Sequence, residues 1–336
     1  MEKIKKFLRP IYKRIIVYKS LIANFLYDFR LYSKYSIIIN KVDLKNKEAD
    51  LILNYHSLEK GMLFSNMKAG FARYRIENLH KILVDPDIMA NANKSQIKVG
   101  YQVMCKYYEI HLEKGLDISS FYSEDQYKSY KNVLELNNVY KKDFSGVYNF
   151  DKNTFFQDVE KLNFYEFAHS RKSTRDFTGE LIAIEAIKKV IKLANTSPSV
   201  CNRQASNVYL LQDKSKIDAL LEIQGGFVGY SKNVKQLLIL TNDRKYYYTV
   251  GERNQFYIDG GIYLMNLLFA LHFYKIGNCP ANWGKTKKDE ERLKDVITIP
   301  ESEKIICIIP IGEIVEHFST TLSLRREIDE NLHLLD

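Results

Sequence analysis

The segment 169–177, "HSRKSTRDF", concentrates groups that bind anions. Three cations, Arg171, Lys172 and Arg175, stand within five residues beside two hydroxyls, one of them that of Ser173. A guanidinium group matches the geometry of phosphate oxygens, and hydroxyls complete such a cradle. Isolated basic runs are also typical of solvated surface loops. The segment by itself therefore leaves two interpretations open, a surface loop and a phosphate pocket.

Two further polar segments stand next to predicted elements. "SPSVCNRQ" (197–204) leads from a predicted helix into a strand, and its Asn202 and Gln204 offer amide donors and acceptors that suit the edge of a heterocycle. "STTLSLRRE" (319–327) follows the last predicted strand and again pairs hydroxyls with Arg325. Each segment alone is more typical of a surface. Their order, spacing and position at strand edges indicate a site for one anionic, heterocyclic ligand.

The elements that position these segments differ between the two halves of the chain. Residues 1–150 are predicted to be mainly helical, with a helix in 91–115 and another that begins at the capping-box spacing Ser123–Gln126. From residue 155 to 336 short, consecutively apolar runs predict strands buried on both faces, at 207–213, 236–243 and 304–312. Helical patterns lie between them, at 184–195 and 259–277. This alternation predicts a second domain of the α+β class, in which a sheet lies between helical layers as a three-layer α/β/α sandwich.

The charge of the chain is unevenly distributed. Its net charge is +9, and the first 40 residues hold nine Lys or Arg against Glu2 and Asp28. Residues 9–35 mix these cations with aromatic side chains, which favours either a helix packed on the core or one that attaches reversibly to an anionic membrane surface. No stretch reaches the roughly 18 apolar residues of a membrane span. We therefore expect a cytoplasmic protein and, since no nucleic-acid motif is present, no nucleic-acid partner.

Several catalytic classes find no support in the sequence. The four cysteines are widely separated and the seven histidines are scattered, so no metal site is expected. The chain also contains no GxSxG, no P-loop and no GxGxxG.

Roughly residues 160–330 resemble the FMN-dependent nitroreductase-like oxidoreductases. The resemblance is carried by "SRKSTRDF" with its following helix, by "SPSVCNRQ" about 25 residues later, and by "IGNCPANWG" (276–284) before a closing strand that ends in "IPIGE". It implies a mixed sheet flanked by helices, in a homodimer that binds FMN and takes electrons from NADH or NADPH. The cofactor-binding residues that it implies are Arg171, Lys172, Ser173, Arg175, Ser199, Asn202, Gln204, Asn282, Trp283 and Arg325.

The physical basis of these roles is charge stabilisation. Arg171, Ser173 and Arg175 are expected at the flavin phosphate or pyrimidine edge, where a cation stabilises the negative charge of the reduced flavin. Arg325 resembles a late basic residue that closes over the phosphate. The sequence departs from the family where the loop continues as "RQASN" instead of a Pro-Trp pair. That departure motivates an alternative, a flavin-binding but non-catalytic or scaffolding member.

The helical half contains one segment of its own interest, "NYHSLEKGM" (54–62). His56 and Lys60 share a helix face, and Glu59 lies beside them. A similar HSLEKG stretch precedes nitroreductase-like cores in some bacterial proteins. The segment is interpreted either as an ordinary polar helix end or as the catalytic group, His56 with Glu59 and Lys60, that gives a proton to an unidentified small-molecule substrate.

Overall fold

The computed structural model of the protein describes residues 2–64 and 66–335, and for residues 2–8 it describes the backbone only. Contacts between Cα atoms divide the chain into two compact units. The first comprises Met1–Tyr148 and Ser319–Asp336 and is called the helical unit below. The second comprises Asn149–Phe318 and is called the sheet unit.

The helical unit is built from helices that follow one another along the chain. They are α1 (Glu2–Tyr35), α2 (Leu44–Met62), α3 (Arg73–Leu83), α4 (Pro86–Met89), α5 (Ser95–Glu113) and α6 (Glu124–Leu136). The Ser123 hydroxyl accepts from the Gln126 backbone N–H, and the Gln126 side chain accepts from the Ser123 N–H, as the spacing predicts. The helices predicted in 91–115 and after Ser123 are thus confirmed as α5 and α6.

Tyrosines fill much of the core of the helical unit. Tyr101, Tyr107 and Tyr122 are fully buried. Their hydroxyls donate to the backbone carbonyls of Leu83, Phe71 and Met104 at 2.6, 2.8 and 3.2 Å. A buried hydroxyl is costly unless it is hydrogen-bonded, so these bonds offset the loss of hydration.

The end of the chain packs with the helical unit, whereas the sequence pattern assigns residues 319–336 to the second domain. Leu322 belongs to the hydrophobic core of the helical unit. The Glu330 carboxylate accepts from the backbone N–H and the hydroxyl of Ser95, at 2.8 and 2.9 Å. These contacts join residues more than 200 positions apart, which local sequence patterns do not reveal.

The sheet unit alternates helices and strands. Its helices are α7 (Lys152–Phe155), α8 (Phe164–Ser170), α9 (Ile184–Ala194), α10 (Lys214–Gln224), α11 (Gln255–Phe273) and α12 (Lys287–Lys294). The strands of the chain are β1 (Val147–Asp151), β2 (Ser206–Leu211), β3 (Gln236–Asp243), β4 (Gly277–Asn278), β5 (Ala281–Asn282), β6 (Glu303–Gly312) and β7 (His317–Thr321). Strands β1 and β7 pair with each other, and the other five form one sheet.

The five-stranded sheet has the order β2-β3-β6-β4, and β5 also pairs with β6. Helices α9 and α11 pack on one face, where they bury alternate residues of β3 such as Leu238 and Leu240. The intervening Leu237 and Ile239 are also buried and point to the opposite face, because successive strand residues alternate. Helix α10 packs against β3 as well. The prediction of strands buried on both faces is therefore confirmed for β3 and β6, whereas β2, at the edge of the sheet, is only partly buried. The predicted α+β class is confirmed.

Strand direction differs from the mixed sheet of the prediction. The pairings β2–β3, β3–β6, β4–β6 and β5–β6 are all antiparallel. A helix that crosses directly between two strands favours parallel pairing, but the irregular connection 225–235 follows α10 and lets the chain return in the opposite direction.

Helix α11 is the most apolar element of the sheet unit. Among the described residues it is the one helix long and apolar enough to cross a membrane by length and composition. Half of that span is buried inside the unit, where Leu267, Ala270 and Leu271 belong to the core. The helical pattern predicted at 259–277 is thereby confirmed as α11.

Candidate functional site

The basic segment, residues 169–177, is fixed to the sheet through its backbone. The Thr174 N–H donates to the Asn278 carbonyl and the Asn278 N–H donates to the Thr174 hydroxyl, both at 2.8 Å. Further along, Phe177 forms a bridge with Ile314, and its carbonyl accepts from the Asn233 side chain at 2.9 Å. The segment is thus an ordered extension beside β4, which argues against the interpretation as a solvated surface loop.

A buried histidine fixes the start of the same segment. The Ser170 hydroxyl lies 2.7 Å from His272 Nε2 on α11 and 2.9 Å from the Phe167 carbonyl. Burial is the main cause that lowers the pKa of His272 to about 4, and the positive charges of Arg171 and Lys172 contribute in the same direction. At neutral pH the imidazole is therefore uncharged. A neutral ring can hydrogen-bond Ser170 without adding a fourth positive charge to the segment.

The side chains of the basic segment are partly or fully covered. Arg171, Lys172 and Ser173 are half-buried, and the Lys172 ammonium donates to the His169 carbonyl at 3.0 Å. Arg175 is buried, and its positive charge acts on both Asp176 and Tyr230. Burial raises the pKa of the Asp176 carboxyl, whereas the nearby Arg175 guanidinium opposes that rise. The segment therefore combines three cations and a hydroxyl in a low-dielectric setting, which strengthens their attraction for an anion.

The polar loop, residues 197–204, is held by its side chains. The guanidinium of Arg203 forms a two-pronged ion pair with Glu252, at 2.9 and 3.0 Å, and also donates to the Tyr246 carbonyl. Hydrogen bonds from Arg203 and from the Tyr248 backbone N–H lower the pKa of Glu252 to about 2. Arg203 is therefore a structural residue of this loop.

The backbone of the polar loop is strained. Cys201, Asn202 and Gln204 have φ angles of 49°, 54° and 52°, in the left-handed region that residues with a side chain rarely adopt. Each such residue costs on the order of 1–3 kcal/mol, and such strain is often found at ligand sites. The loop is closed by the Gln204 N–H, which donates to the Ser199 hydroxyl at 2.9 Å. The Gln204 amide also donates to the Asn202 side-chain oxygen at 3.2 Å.

A buried carboxylate on α11 supports the polar loop from below. Asp259 accepts hydrogen bonds from the Val200 N–H at 3.2 Å, from the Gln255 side chain at 2.8 Å and from the Tyr247 hydroxyl at 3.2 Å. The loop and α11 enclose a cavity of about 140 Å³. Ser199 and Gln204 line it together with other residues, namely Asn195, Ser197, Pro198, Ser206, Asp259 and Tyr263.

The predicted cofactor-binding residues Asn282 and Trp283 lie in different environments in the structure. Asn282 in β5 is exposed, and its backbone carbonyl accepts from the Gln224 side chain at 3.1 Å. Trp283 is buried and lines a second cavity, of about 420 Å³, beside α12 and β6. Gly277 in β4 stands where a side chain cannot fit, because an added Cβ would lie 2.3 Å from the Ile314 side chain. This close approach lets Asn278 reach Thr174.

The remaining predicted residues belong to the helical unit. The Arg325 guanidinium donates to the Ser323 carbonyl at 2.8 Å. On α2, His56 Nδ1 lies 2.8 Å from Glu59 Oε2, and the Glu59 side chain is 1% exposed against 38% for His56. Lys60 is half-buried on the same helix. The structure thus brings His56 and Glu59 together as the spacing predicts.

Asp259, His272 and Asn278 are residues that the sequence reasoning missed. Each contacts a predicted segment from a position more than 50 residues away in the chain. A partial signal was present for two of them, since Asp259 and His272 are polar residues within the apolar pattern 259–277. A buried polar residue in such a helix usually has a specific partner.

Comparison with known proteins supports the family resemblance of the sheet unit. Residues 168–241 match the model of the nitroreductase family, a range that contains both the basic segment and the polar loop. The nitroreductase-like resemblance of the second half is thereby confirmed for its basic segment, α9, the polar loop, β2, α10 and most of β3. No curated protein matches the chain.

Solved structures similar to this chain cover about half of it. A candidate nitroreductase from Desulfovibrio desulfuricans in complex with FMN is 20% identical, with 51% of this chain and 96% of that chain covered and a TM-score of 0.44. A nitroreductase-like protein from Streptococcus mutans is 17% identical, covers 52% and 98%, and has a TM-score of 0.44. An FMN-dependent nitroreductase from Clostridium difficile is 18% identical, covers 49% and 95%, and has a TM-score of 0.40.

Proposed function

We propose that the protein is an FMN-dependent oxidoreductase of the nitroreductase type, whose flavin is reduced by NADH or NADPH and re-oxidised by a small molecule. The observation that carries the proposal is the basic segment, which lies within the family match and is fixed by the Thr174–Asn278 hydrogen bonds. A fixed backbone with three cations is a pre-organised anion site, because little conformational freedom is lost when the anion binds.

The donor set of the sheet unit fits FMN chemically. Arg171, Lys172 and Ser173 would hold the phosphate, since two cations and a hydroxyl suit a dianionic monoester. Arg175 would lie deeper, where its buried charge stabilises electron-rich ring atoms. The amides of Asn202 and Gln204 and the Ser199 hydroxyl would meet the ring edge, with Asn282 as a further polar contact. FMN, when bound, supplies the hydride and electron transfer.

Two of the predicted ligands support the proposal less directly. Trp283 is buried beside α12, so its proposed contribution is to shape the segment that ends in Asn282. Arg325 lies in the segment Ser319–Asp336, and its contact with the phosphate stays a prediction from the family resemblance.

Anaerobic titration of the purified protein with NADH and with NADPH tests this function. We expect protein that is yellow, or that becomes yellow when reconstituted with FMN, and a visible flavin band that bleaches with at least one donor. Protein that cannot be loaded with FMN would contradict the proposal. A bound flavin that neither donor reduces would favour the alternative, a non-catalytic flavin-binding member.

We also propose that His56 is the proton donor of this reaction. The buried Glu59 carboxylate accepts from His56 Nδ1 and holds the ring in one orientation, which leaves Nε2 to exchange a proton. Lys60 would help to attract an anionic substrate.

Replacement of His56 tests this role. His56→Ala is expected to keep its fold and FMN but to lose at least about tenfold in turnover with a quinone acceptor such as menadione, whose reduction takes up protons. The matched control is His333→Ala, since His333 is an exposed histidine of the same unit. Equal turnover in the two variants would show that His56 is an ordinary helix residue.

The exposed face of α11 supports a proposal for the oligomeric state. Ile258, Ile262 and Met265 are spaced at helical intervals and are 40–55% exposed, in a helix whose other face forms the core. We propose that a second copy of the chain covers this apolar face, as the family resemblance implies. Light scattering should therefore give the mass of a homodimer. Ile262→Glu should reduce that mass, whereas Leu181→Glu, at another exposed apolar residue, should not.

A further inference from the structure

Helix α1 carries a continuous apolar stripe that its own unit does not cover. Within residues 9–35 the stripe consists of residues spaced alternately by four and three positions, which places them on one face of a helix. Each of them is between 45% and 68% exposed: Ile11, Ile15, Tyr18, Ile22, Phe25, Phe29 and Tyr32. Apolar faces of this size are normally buried by another surface.

The charge of the chain identifies the kind of surface. The first 40 residues have nine basic and two acidic side chains, a surplus of seven, whereas the net charge of the whole chain is +9. The other 296 residues therefore contribute a surplus of only two. Seven of the nine net positive charges therefore lie on the segment that contains the exposed apolar stripe. The matching partner is apolar next to a layer of negative charge, which is the composition of an anionic lipid surface.

We infer that α1 lies in the headgroup region of an anionic membrane, with the apolar stripe directed toward the acyl chains. Arg14, Lys19 and Arg30 flank the stripe, where long basic side chains reach lipid phosphates while their stems cover apolar surface. Lys13 and Lys34 lie toward the opposite face and would remain in water. Such a helix lies on the membrane and does not cross it, since within 9–35 charged residues leave no uncharged run longer than the eight residues 20–27.

A second copy of α1 is a less suitable partner. The spacing of the stripe also matches a coiled-coil seam, but the seam holds two tyrosines and two phenylalanines where coiled coils favour Leu and Ile. In a parallel pair, Arg14 of one helix would face Lys19 of the other, and like charges repel. Lipid phosphates instead attract both residues.

Co-sedimentation of the full chain with vesicles tests the inference. We expect strong binding to an equal mixture of phosphatidylcholine and phosphatidylglycerol, and weak binding to phosphatidylcholine alone or at high salt. Phe25→Glu and Tyr27→Glu form a matched pair, because both replace an exposed aromatic residue, 52% and 57% exposed, with the same charge. Phe25 lies in the stripe and Tyr27 on the opposite face. Phe25→Glu should weaken binding at least about tenfold more than Tyr27→Glu.

Each other outcome would overturn the inference. If the wild-type protein does not bind anionic vesicles, the inference is wrong. Equal losses of vesicle binding in the two variants would show that only the added charge matters. An assembly that Phe25→Glu dissociates while vesicle binding stays unchanged would assign the stripe to a second copy. Circular dichroism and FMN content serve as controls, and both are expected to be unchanged in the two variants. Co-sedimentation measures vesicle binding without any turnover, so the result does not depend on the proposed oxidoreductase function.

Discussion

The basic segment and the polar loop flank the same helix, α9, yet they are held in opposite ways. The basic segment is held by hydrogen bonds between Thr174 and Asn278 of β4 and by the Ser170 hydroxyl at His272, and these supports do not use its cations. The polar loop uses its own cation, Arg203, in an ion pair with Glu252 and bends its backbone into left-handed conformations. Two segments of similar polar composition are thus held by different kinds of interaction. The first segment is suited to hold charge, and the second to present amide and hydroxyl groups.

The polar loop should depend strongly on Asp259. Asp259→Ala leaves the Val200 N–H, the Gln255 amide and the Tyr247 hydroxyl without their acceptor, so we expect a loss of about 3–5 kcal/mol in the free energy of unfolding. Asp259→Asn keeps the shape and one oxygen and should lose less. Urea unfolding measures both. A cost below about 1 kcal/mol for Asp259→Ala would show that the loop supports itself.

The basic segment should be the more sensitive of the two to mild acid. The pKa of His272 is near 6.5 in the unfolded chain and about 4 in the folded protein, so the unfolded state binds the proton more readily between these values. The contribution of neutral His272 to the free energy of unfolding is complete above pH 6.5. It is lost as the pH falls to 4, and the loss is at most about 3 kcal/mol. For the polar loop, the pKa of Glu252 falls from 4.5 to about 2, so its contribution is lost only below pH 4.5.

Urea unfolding across this pH range checks the order of the two losses. His272→Gln should flatten the stability profile between pH 6.5 and 4 and leave the fall below pH 4.5 in place. A profile with the same slope in the variant and the wild type would mean that Ser170 and His272 do not couple the segment to α11.

A smaller effect is expected where β4 meets the basic segment. Gly277→Ala would put a Cβ 2.3 Å from the Ile314 side chain and 2.9 Å from the Gly312 carbonyl oxygen, which should cost about 1–3 kcal/mol. Gly251→Ala is the matched control, since its nearest neighbour, the Thr249 hydroxyl, would lie at an ordinary 3.6 Å. Thermal unfolding compares them. Equal stability of both variants would contradict the tight approach that seats Asn278 against Thr174.

Local sequence patterns predicted the elements of this fold well, because each depends on neighbouring residues. Consecutive apolar residues identified β3 and β6, and the Ser123–Gln126 spacing identified the capping box that begins α6. The basic segment was also predicted, since its three cations lie within five residues of the sequence.

The supports of the site could not be found in this way. The Thr174–Asn278 bonds join residues 104 positions apart, and only the folded sheet brings the two together. Asn282 and Trp283 are neighbours in the sequence, but one is exposed and the other buried, because adjacent residues of an extended chain point in opposite directions.

The most direct test of the central claim compares the affinities of FMN and riboflavin, which differ by the phosphate alone. If the basic segment holds the phosphate, apoprotein should bind FMN at least about tenfold more tightly than riboflavin, because a charged hydrogen bond contributes on the order of 1.5–3 kcal/mol. Arg171→Ala should reduce this preference more than Lys172→Ala, because a guanidinium can donate two parallel hydrogen bonds to a phosphate whereas an ammonium acts as a point charge. Equal affinities for FMN and riboflavin in the wild-type protein would contradict the account.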